Sequence, residues 1–483
     1  MNRFLGVDVG TSALKVVLAE DLTIIDQASK GYPNAFPHDG WSEQRPEDWW
    51  DALVMSLDEL SARHDLKTVR GISFCGQMHG LVALDEKDRV IRPAILWNDV
   101  RTVEECVRIN REIGIERLVS WTGNIAYAGF TAPKILWMKA HEPELYQRIQ
   151  KVMLPKDYLV YRLTGRHVTD VTDASGTLML DVRHRCWSKE MIDWMGLDER
   201  VLPEVLESAD VVGTVLADVA AKLHVSADLR VVVGGGDQAV GAIGTGTVGD
   251  GRVSISLGTS GVIFASSEDD RHVPDGTMHS FCHADGKFHV MAVMLASGGS
   301  LRWWTDDVLG VEDIESCLKE AFAAPAGGPL FHPYLSGERS PINDPVVRGA
   351  FHGLGVQHKR ADLTRAVLEG VCLGFKDCLD AMKKIGIRCE QASVIGGGSK
   401  SDAWVQMLSN ALGVPLVKTA TPEGGALGAV VLAMAGCGFV SNVASAATGC
   451  QRIVKTFVPD LAQTEYFENR LVEYRDVYRQ MKR

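Results

Sequence analysis

An aspartate near the middle of the chain follows a short apolar strand and three glycines. The run VVVGGGDQ at residues 231–238 places Asp237 just past the end of the strand, next to Gln238. Ligands of α/β proteins favour the carboxyl ends of strands, and we expect the flexible glycines to deliver this carboxylate into an open cleft. A carboxylate there can orient a substrate hydroxyl and accept its proton. The sequence favours a general base at Asp237, with a turn aspartate that has no catalytic role as the alternative.

A second acid interrupts an apolar strand at the start of the chain. Asp8 lies in the strand pattern FLGVDV, residues 4–9, two positions before the turn GTS at residues 10–12. A charge inside such a strand is costly unless it is paired, hydrated or linked to a metal. The pattern indicates an acid placed for chemistry, and the alternative is a strand-end acid that caps the turn.

Three glycine-bearing turns have the composition of phosphate-binding loops. They lie at residues 10–12, 258–261 and 396–401, and each combines glycine with hydroxyl side chains. Glycine lets the backbone approach a phosphate closely, successive amides form an anion-binding concavity, and Lys15 can add charge. The GxxxxGK[ST] run of P-loop enzymes is absent, and the GxGxxG match at residues 244–249 follows a helical pattern, which indicates a linker. We expect the three turns to hold a nucleotide.

A polar loop, GQMHG at residues 76–80, follows another buried strand pattern. Its donors and acceptors suit a ligand with many hydroxyl groups. A histidine such as His79, taken alone, is more often structural than ligand-binding. The sequence has neither an HExxH motif nor a cluster of cysteines and histidines, so a metal held by protein side chains alone is not expected.

The turn GTS occurs twice, at residues 10–12 and 258–260, each time between two strand patterns. The two copies lie 248 residues apart, since the glycines are residues 10 and 258. An internal match at half the chain length indicates a duplicated domain. In the second copy Ser256 takes the position of Asp8, so the acid belongs to the first copy alone.

The elements around these turns predict a two-domain α/β protein. Strand and helix patterns alternate along both halves, with late strand patterns at residues 392–395 and 414–418. Mixed sheets covered by helices are therefore expected. We place the boundary in the glycine-rich stretch at residues 241–251, which gives an N-terminal domain at residues 1–246 and a C-terminal domain at residues 247–483.

Composition excludes several classes of partner. The 483 residues carry a formal net charge of -12, which argues against a nucleic-acid or anionic-membrane surface. No stretch reaches the roughly 18 apolar residues of a membrane helix, and the start lacks a signal-peptide pattern. The 10 cysteines are scattered without a CxxC pair, which is typical of reduced thiols. We predict a soluble, cytoplasmic protein with no nucleic-acid or membrane partner.

The paired hairpins, Asp8 and the late glycine-rich loop together resemble the actin, Hsp70 and sugar-kinase superfamily. Within it, GAFHGL at residues 349–354 and DLTRAVLE at residues 362–369 match the second signature of the FGGY carbohydrate kinases at every defined position. FTAPKILW at residues 130–137 resembles the first signature. The resemblance implies an α/β fold of two duplicated ribonuclease-H-like domains around a central cleft. It also implies a kinase that uses ATP and Mg²⁺.

The resemblance also assigns roles to individual residues. It implies that Met78 and His79 contact the sugar, that Asp237 accepts the hydroxyl proton, and that Asp8 holds the magnesium–phosphate assembly through water. Gln238 is expected to contact the sugar as well, although many relatives have asparagine there. The implied nucleotide contacts come from the three glycine-bearing turns and their flanks: Thr11, Ser12, Lys15, Gly258, Thr259, Gly397, Gly398 and Ser401.

Further segments narrow the expected substrate to a small-molecule ketose. They resemble the family members that convert D-xylulose to D-xylulose 5-phosphate: GWSEQ at 40–44, GQMHG at 76–80, LPKDY at 154–158, SFCH at 280–283 and YLSGERSP at 334–341. Phosphorylation of ribulose, fuculose or glycerol is the alternative within the family. An actin- or Hsp70-like ATPase switch is the alternative outside it, although the second half lacks a peptide-binding β module. A homodimer is expected from the resemblance alone.

Overall fold

The computed structural model describes residues 2–273, 275–420 and 424–482. The strands of the first half are β1 (Arg3–Val9), β2 (Ala13–Glu20), β3 (Thr23–Gly31), β4 (Glu43–Gln44), β5 (Val69–Gly76), β6 (Val82–Leu84), β7 (Ala94–Ile95), β8 (Lys151–Met153), β9 (Val168–Asp170), β10 (Leu180–Asp181), β11 (Cys186–Trp187), β12 (Glu204–Leu206), β13 (Val211–Thr214), β14 (Arg230–Val232) and β15 (Gly235–Gly236). Its helices are α1 (Pro46–Ser61), α2 (Val103–Ile113), α3 (Ile115–Thr122), α4 (Thr131–His141), α5 (Pro143–Tyr146), α6 (Pro155–Thr164), α7 (Val171–Ser175), α8 (Lys189–Met195), α9 (Ala217–Lys222) and α10 (Asp237–Gly244).

The second half has the same mixture of elements. Its strands are β16 (Arg252–Leu257), β17 (Gly261–Ser267), β18 (His279–Cys282), β19 (Phe288–Met294), β20 (Leu330–His332), β21 (Ala350–His352), β22 (Gln391–Ile395), β23 (Leu416–Thr419) and β24 (Ile453–Phe457). Its helices are α11 (Gly298–Arg302), α12 (Ile314–Ala323), α13 (Arg360–Lys384), α14 (Asp402–Leu412), α15 (Gly424–Gly436), α16 (Val443–Cys450) and α17 (Leu461–Met481).

The two large sheets repeat one strand order. In the first sheet the order is β13-β14-β5-β1-β2-β3, with β15 also paired to β5, and in the second it is β24-β23-β22-β16-β17-β19, with β18 added at the edge. In both sheets the central strand pairs antiparallel with the next strand of the chain and parallel with a later one. The predicted duplication is confirmed by this repeated order. The exact boundary between residues 246 and 247 stays a prediction.

Strand β1 presents alternate residues to its two faces, as the twofold period of a strand requires. Leu5, Val7 and Val9 pack with α1 in one apolar core. Phe4 packs in a second core with α10 and α15. Asp8 has the same parity as Phe4, so its carboxylate lies on the face that α15 covers.

Helices α10 and α15 cross with their backbones in direct contact, against the first sheet. A Cβ atom at Gly244 would overlap the carbonyl oxygen of Gly424, and one at Gly428 would overlap that of Val240. A Cβ atom at Gly6 on β1 would likewise overlap the carbonyl oxygen of Ala426. Only glycine fits at these three positions. The absence of side chains there allows α15 to pack closely against both β1 and α10.

Two further features bear on the expectations from composition. Within the described ranges, no helix is long and apolar enough to cross a membrane. None of the ten cysteines, all of which have described positions, forms a disulfide, and most of them are buried.

Candidate active site

Asp237 is the first residue of α10, directly after Gly236, which caps the helix. The sequence predicted that the glycines before Asp237 would form a flexible tether, and the structure instead packs them tightly. A Cβ atom at Gly236 would lie 2.8 Å from the Met78 side chain, and one at Gly235 would lie 2.7 Å from the Thr172 hydroxyl. The Gly236 amide also donates a hydrogen bond of 2.9 Å to that hydroxyl. The glycines therefore allow close packing, which fixes the start of α10 and with it the carboxylate.

The surroundings of Asp237 change its acidity. Loss of hydration deep in the cleft, together with the negative charge of Asp8, raises the pKa of Asp237 to about 7. Hydrogen bonds from the backbone and side chain of Gln238 lower it in part. A carboxylate with a pKa near neutrality is suited to accept a proton during a reaction.

Asp8 and Asp237 lie on either side of Cys75. Burial raises the pKa of the Cys75 thiol well above its usual range, and the charges of the two acids raise it further. A Cβ atom at Gly425, at the start of α15, would lie 2.7 Å from Asp8 Oδ2 and 2.9 Å from Cys75 Sγ. Gly425 and Asp237 line one cavity, and Asp8 lies directly behind Gly425.

An inner cavity of about 350 Å³ lies on one side of Asp237. Both halves of the chain contribute to its wall. The predicted residues Met78, His79, Asp237 and Gln238 all line it. The remaining wall is mainly aromatic and polar: Trp97, Asn98, Asp99, Val100, Tyr127, Ala128, Gly129, Phe130, Ser260, Val262, His279, Met291, Val293 and Arg339.

His79 enters this cavity in a fixed orientation. Its φ angle is 70°, in the left-handed region, and its carbonyl oxygen accepts hydrogen bonds from Thr131 Oγ1 and Lys134 Nζ at 3.1 and 2.8 Å. The ring stacks on Phe130, and Nδ1 donates to the Gly176 carbonyl at 2.7 Å. Burial lowers the pKa of His79 to about 3. The ring is therefore neutral near pH 7, and Nε2 is left as a hydrogen-bond acceptor.

Two more cavities lie along the second sheet, and the first of them also borders Asp237. A central cavity of about 570 Å³ is bordered by Asp237, Ser256, Gly396 and Gly425. An outer cavity of about 1250 Å³ follows, and it contains all five predicted nucleotide contacts of the second half: Gly258, Thr259, Gly397, Gly398 and Ser401. The Gly258 and Thr259 carbonyls accept hydrogen bonds from the Gly298 and Gly299 amides, which fixes this turn.

The first glycine-bearing turn lies beside the inner cavity. The Thr11 carbonyl accepts a hydrogen bond of 2.6 Å from Gln44 Nε2, and the Thr11 hydroxyl accepts one of 3.1 Å from Trp97 Nε1. Ser12 is exposed at the tip of the turn. Lys15 lies directly opposite Asp8 in the β1–β2 pairing. The three predicted contacts of this turn are thus close to the first acid.

Asp8 fits a magnesium ion whose other ligands are water and the phosphates of a bound substrate. Among the residues with described positions, no group of three or more histidine, cysteine or acidic side chains forms a metal cluster. Mg²⁺ in phosphoryl-transfer sites is usually held by one or two carboxylates, water and substrate phosphates. Asp8, next to Gly425 in the wall of the central cavity, supplies one such carboxylate. A single carboxylate cannot form a complete cage by itself.

Sequence reasoning missed several residues of the inner cavity. Arg339 and Tyr127 come from loops, and His279 begins β18. Arg339 lies inside the segment at residues 334–341 that carried the resemblance, and His279 directly precedes the one at 280–283. The position of these residues in or beside segments that resemble the family was the signal that could have identified them. No local pattern indicates that loops so far apart in the chain form one wall of the cavity.

Comparison with known proteins identifies the class. Residues 3–244 match the model for the N-terminal domain of the FGGY family of carbohydrate kinases, and residues 253–437 match that for its C-terminal domain. The chain belongs to the FGGY family of carbohydrate kinases.

Individual relatives cover nearly all of the chain. It is 42% identical over 435 residues to a xylulose kinase of Escherichia coli (strain K12), which covers 89% of each chain. It is 37% identical over 484 residues to a xylulose kinase of Bacillus subtilis (strain 168), covering 99% of this chain and 97% of that one. Among solved structures, a xyloylose kinase from Brucella ovis superposes with a TM-score of 0.95 at 35% identity, covering 100% of this chain and 99% of that chain. A gluconate kinase from Lactobacillus acidophilus superposes with a TM-score of 0.94 at 26% identity, covering 99% and 98%.

Proposed function

We propose that this protein transfers the γ-phosphoryl group of ATP to the terminal hydroxyl of D-xylulose, giving D-xylulose 5-phosphate. The observation that carries the proposal is the position of Asp237, which borders both the inner cavity and the central cavity. The inner cavity has the size and the polar groups for a small sugar, and the outer cavity is large enough for adenosine. The identity of 37–42% to xylulose kinases supports D-xylulose as the sugar.

In this proposal the sugar lies in the inner cavity with its reacting hydroxyl beside Asp237. His79 Nε2 accepts a hydrogen bond from another sugar hydroxyl, Met78 provides an apolar wall, and the exposed amide of Gln238 contacts the sugar from the cleft. A new bond forms between the hydroxyl oxygen and the γ-phosphorus while the bond to the departing ADP oxygen breaks. Asp237 accepts the hydroxyl proton. Most of the rate comes from positioning and from neutralisation of charge.

The nucleotide occupies the outer and central cavities. Its adenosine lies near Gly397, Gly398 and Ser401, and its phosphates reach the amides of Gly258 and Thr259. At the first turn, Thr11, Ser12 and Lys15 approach the phosphates from the opposite side: their role is to donate hydrogen bonds and positive charge.

Asp8 is proposed to hold Mg²⁺ through water. When bound with the phosphates of ATP, the ion neutralises their charge. Asp8→Asn should therefore lower kcat strongly and change the KM for sugar little, because Asp8 lies on the α15 side of the cleft. Steady-state kinetics at several Mg²⁺ concentrations would measure this. A large rise in the KM for sugar with normal kcat would contradict it.

One assay tests the proposed reaction. ADP release is measured with D-xylulose, D-ribulose, L-ribulose, L-fuculose, glycerol and D-gluconate, and without any sugar. We expect the highest kcat/KM with D-xylulose. A higher value with another compound would reassign the substrate within the family. Equal ADP release in every sample would support the ATPase-switch alternative.

Two expectations of the sequence remain proposals. A homodimer would be tested by the sedimentation coefficient of the purified protein. A cytoplasmic location would be tested by fractionation of the cells that make it.

A further inference from the structure

Arg339 brings a guanidinium group into the inner cavity from a loop that is fixed on both sides of it. Glu338 Oε1 accepts a hydrogen bond of 2.8 Å from the Leu295 amide. The Ser340 amide donates a hydrogen bond of 3.0 Å to the Val293 carbonyl, and the Val293 amide donates one of 2.9 Å to the Ser340 hydroxyl. Val293 lies near the end of β19, and Leu295 directly follows that strand. The backbone of Arg339 is therefore held against the second sheet, and its side chain is directed into the cavity.

The guanidinium rests on neutral groups. It lies over the ring of Tyr127, 4.6 Å from the centroid, and Nη1 is 3.3 Å from His279 Nε2. Burial lowers the pKa of His279 well below its usual range, so this ring is neutral and accepts the hydrogen bond. The backbone amides of Leu295 and of Arg339 itself both donate to Oε1 of Glu338, and Oε2 has no hydrogen-bond partner among the described residues.

In the described part of the chain no carboxylate oxygen lies within ion-pair distance of the Arg339 guanidinium, although the neighbouring charge of Glu338 stabilises its charged form. The other acids of the cavity wall are already engaged: Asp99 pairs with Arg101 at 2.6 Å, and Asp237 is the proposed base. Arg339 is also the only lysine or arginine among the described residues that line this cavity. Its remaining N–H groups are thus donors without a protein acceptor, and they face the space that the sugar would occupy.

The chemistry of a 2-ketopentose creates a demand for such a donor. Its five-membered ring closes when the hydroxyl on C5 adds to the ketone on C2. The C5 hydroxyl can receive a phosphoryl group only in the open-chain form, because in the ring that oxygen is already bonded to C2. The open-chain form exposes a ketone oxygen, which accepts hydrogen bonds and cannot donate them. His79 Nε2 and the carboxylates are acceptors and cannot serve this oxygen.

We propose that Arg339 donates hydrogen bonds to the ketone oxygen of the open-chain ketose, and so selects ketoses over the corresponding sugar alcohols. The proposal rests on the proposed function, since it requires a ketose in the inner cavity. It assigns Arg339 as a substrate-binding residue, with Tyr127 and His279 holding its guanidinium in place.

The test compares one ketose with its own reduction products. D-Xylulose, xylitol and D-arabinitol share every atom except at C2, where the pentitols carry a hydroxyl that can donate as well as accept. Dissociation constants for all three are measured by calorimetry on the wild type, Arg339→Met and Arg339→Lys, together with kcat/KM for D-xylulose. We expect Arg339→Met to weaken D-xylulose binding by about 10- to 100-fold and to change pentitol binding by less than about threefold. Arg339→Lys should recover part of the ketose affinity.

A matched control comes from the same loop. Arg348 is exposed, and the acceptors of its guanidinium among the described residues are the carbonyls of Pro345 and Val347. Arg348→Met should leave all three dissociation constants unchanged. Thermal unfolding of each variant identifies any loss of fold, and in that event the Arg339→Lys values decide the question.

Three results would overturn the proposal. Equal proportional losses for the ketose and the pentitols would indicate a general structural role, and unchanged ketose binding in Arg339→Met would indicate no role. A wild type whose best substrate is a polyol without a carbonyl would also overturn it. If the sugar panel instead identifies another ketose, D-xylulose fails as the substrate while Arg339 is tested in the same way with that ketose and its own reduction products.

Discussion

Asp237 is a carboxylate whose surroundings prepare it to accept a proton. Three tightly packed glycines and the Thr172 hydroxyl fix its position at the start of α10. Burial and the nearby charge of Asp8 raise its pKa to about 7. A base with this pKa accepts a proton more readily than an ordinary aspartate does, while much of it remains ionised at neutral pH.

Replacing this carboxylate with its amide separates catalysis from binding. In Asp237→Asn the side chain keeps its shape and loses the ability to take up the proton. We expect kcat to fall by about 10²- to 10⁴-fold. ATP should bind as tightly as before or more tightly, since one negative charge near the phosphates is removed. Steady-state kinetics and calorimetry with ATP measure the two effects, and substantial turnover in the variant would refute the assignment.

The raised pKa also predicts how activity depends on pH. Asp237 works in its ionised form, so kcat/KM for the sugar should fall as the pH drops through about 7. Bound phosphates add negative charge and move the midpoint upward, not downward. His79, with a pKa of about 3, stays neutral over this range and contributes nothing to the profile. A profile that is flat from pH 5 to pH 8 would show that Asp237 is not the titrating base.

Single residues differ in how far the sequence could predict them. Asp8 and Asp237 could be predicted from the sequence because each is an acid in an unusual local context. Asp8 lies in an apolar strand, and Asp237 follows a run of glycines. Arg339 could not be predicted from its local sequence in the same way. Its place in the cavity depends on hydrogen bonds between its loop and the end of β19, which are tertiary contacts without a local pattern.

Among the secondary-structure elements, helices α10 and α15 pack closely because glycines lie at their crossing. Glycines at the crossing let the two backbones touch, and they bring the starts of both helices to the central cavity. Overpacking of such a contact typically costs about 1–3 kcal/mol.

Two glycines of the same helix provide a matched test of this contact. Gly244→Ala introduces a Cβ atom that overlaps the Gly424 carbonyl, and it should lower the free energy of unfolding by about 1–3 kcal/mol. Gly241→Ala introduces one where no atom lies within 4 Å, and it should leave stability unchanged or raise it by up to about 1 kcal/mol. Urea denaturation followed by circular dichroism measures both. Equal effects would mean that the crossing tolerates a side chain.

The strand and helix patterns predicted the main elements closely, with small differences at their ends. The strand expected at residues 414–418 is observed as β23, Leu416–Thr419. Pro415 explains the later start, because it has no N–H group to donate to the neighbouring strand. Its carbonyl still accepts a hydrogen bond from the Ala392 amide. Such differences arise from single backbone groups that a hydrophobic period does not encode.

In the molecule as a whole, duplication builds the site. The repeated turn GTS was enough to predict two related sheets, and the shared strand order confirms them. The sequence did not indicate that the inner cavity would be closed by both halves. Residues 78–130 and 237–238 form one side of it, and residues 260–339 form the other. This sharing follows from the packing of the halves, which no local pattern describes.

The inner and central cavities meet at Asp237, and the outer cavity lies next to the central one at Gly396 and Gly397, which has a consequence for inhibitor chemistry. A single molecule that joins an open-chain ketopentose to adenosine through a phosphate bridge would span from Met78 to Ser401. Once one end is bound, the tethered end meets its own cavity at a local concentration in the millimolar range or above. Such a bivalent compound would bind more tightly than either fragment, and its discrimination against other ATP-using enzymes would come from the ketopentose end.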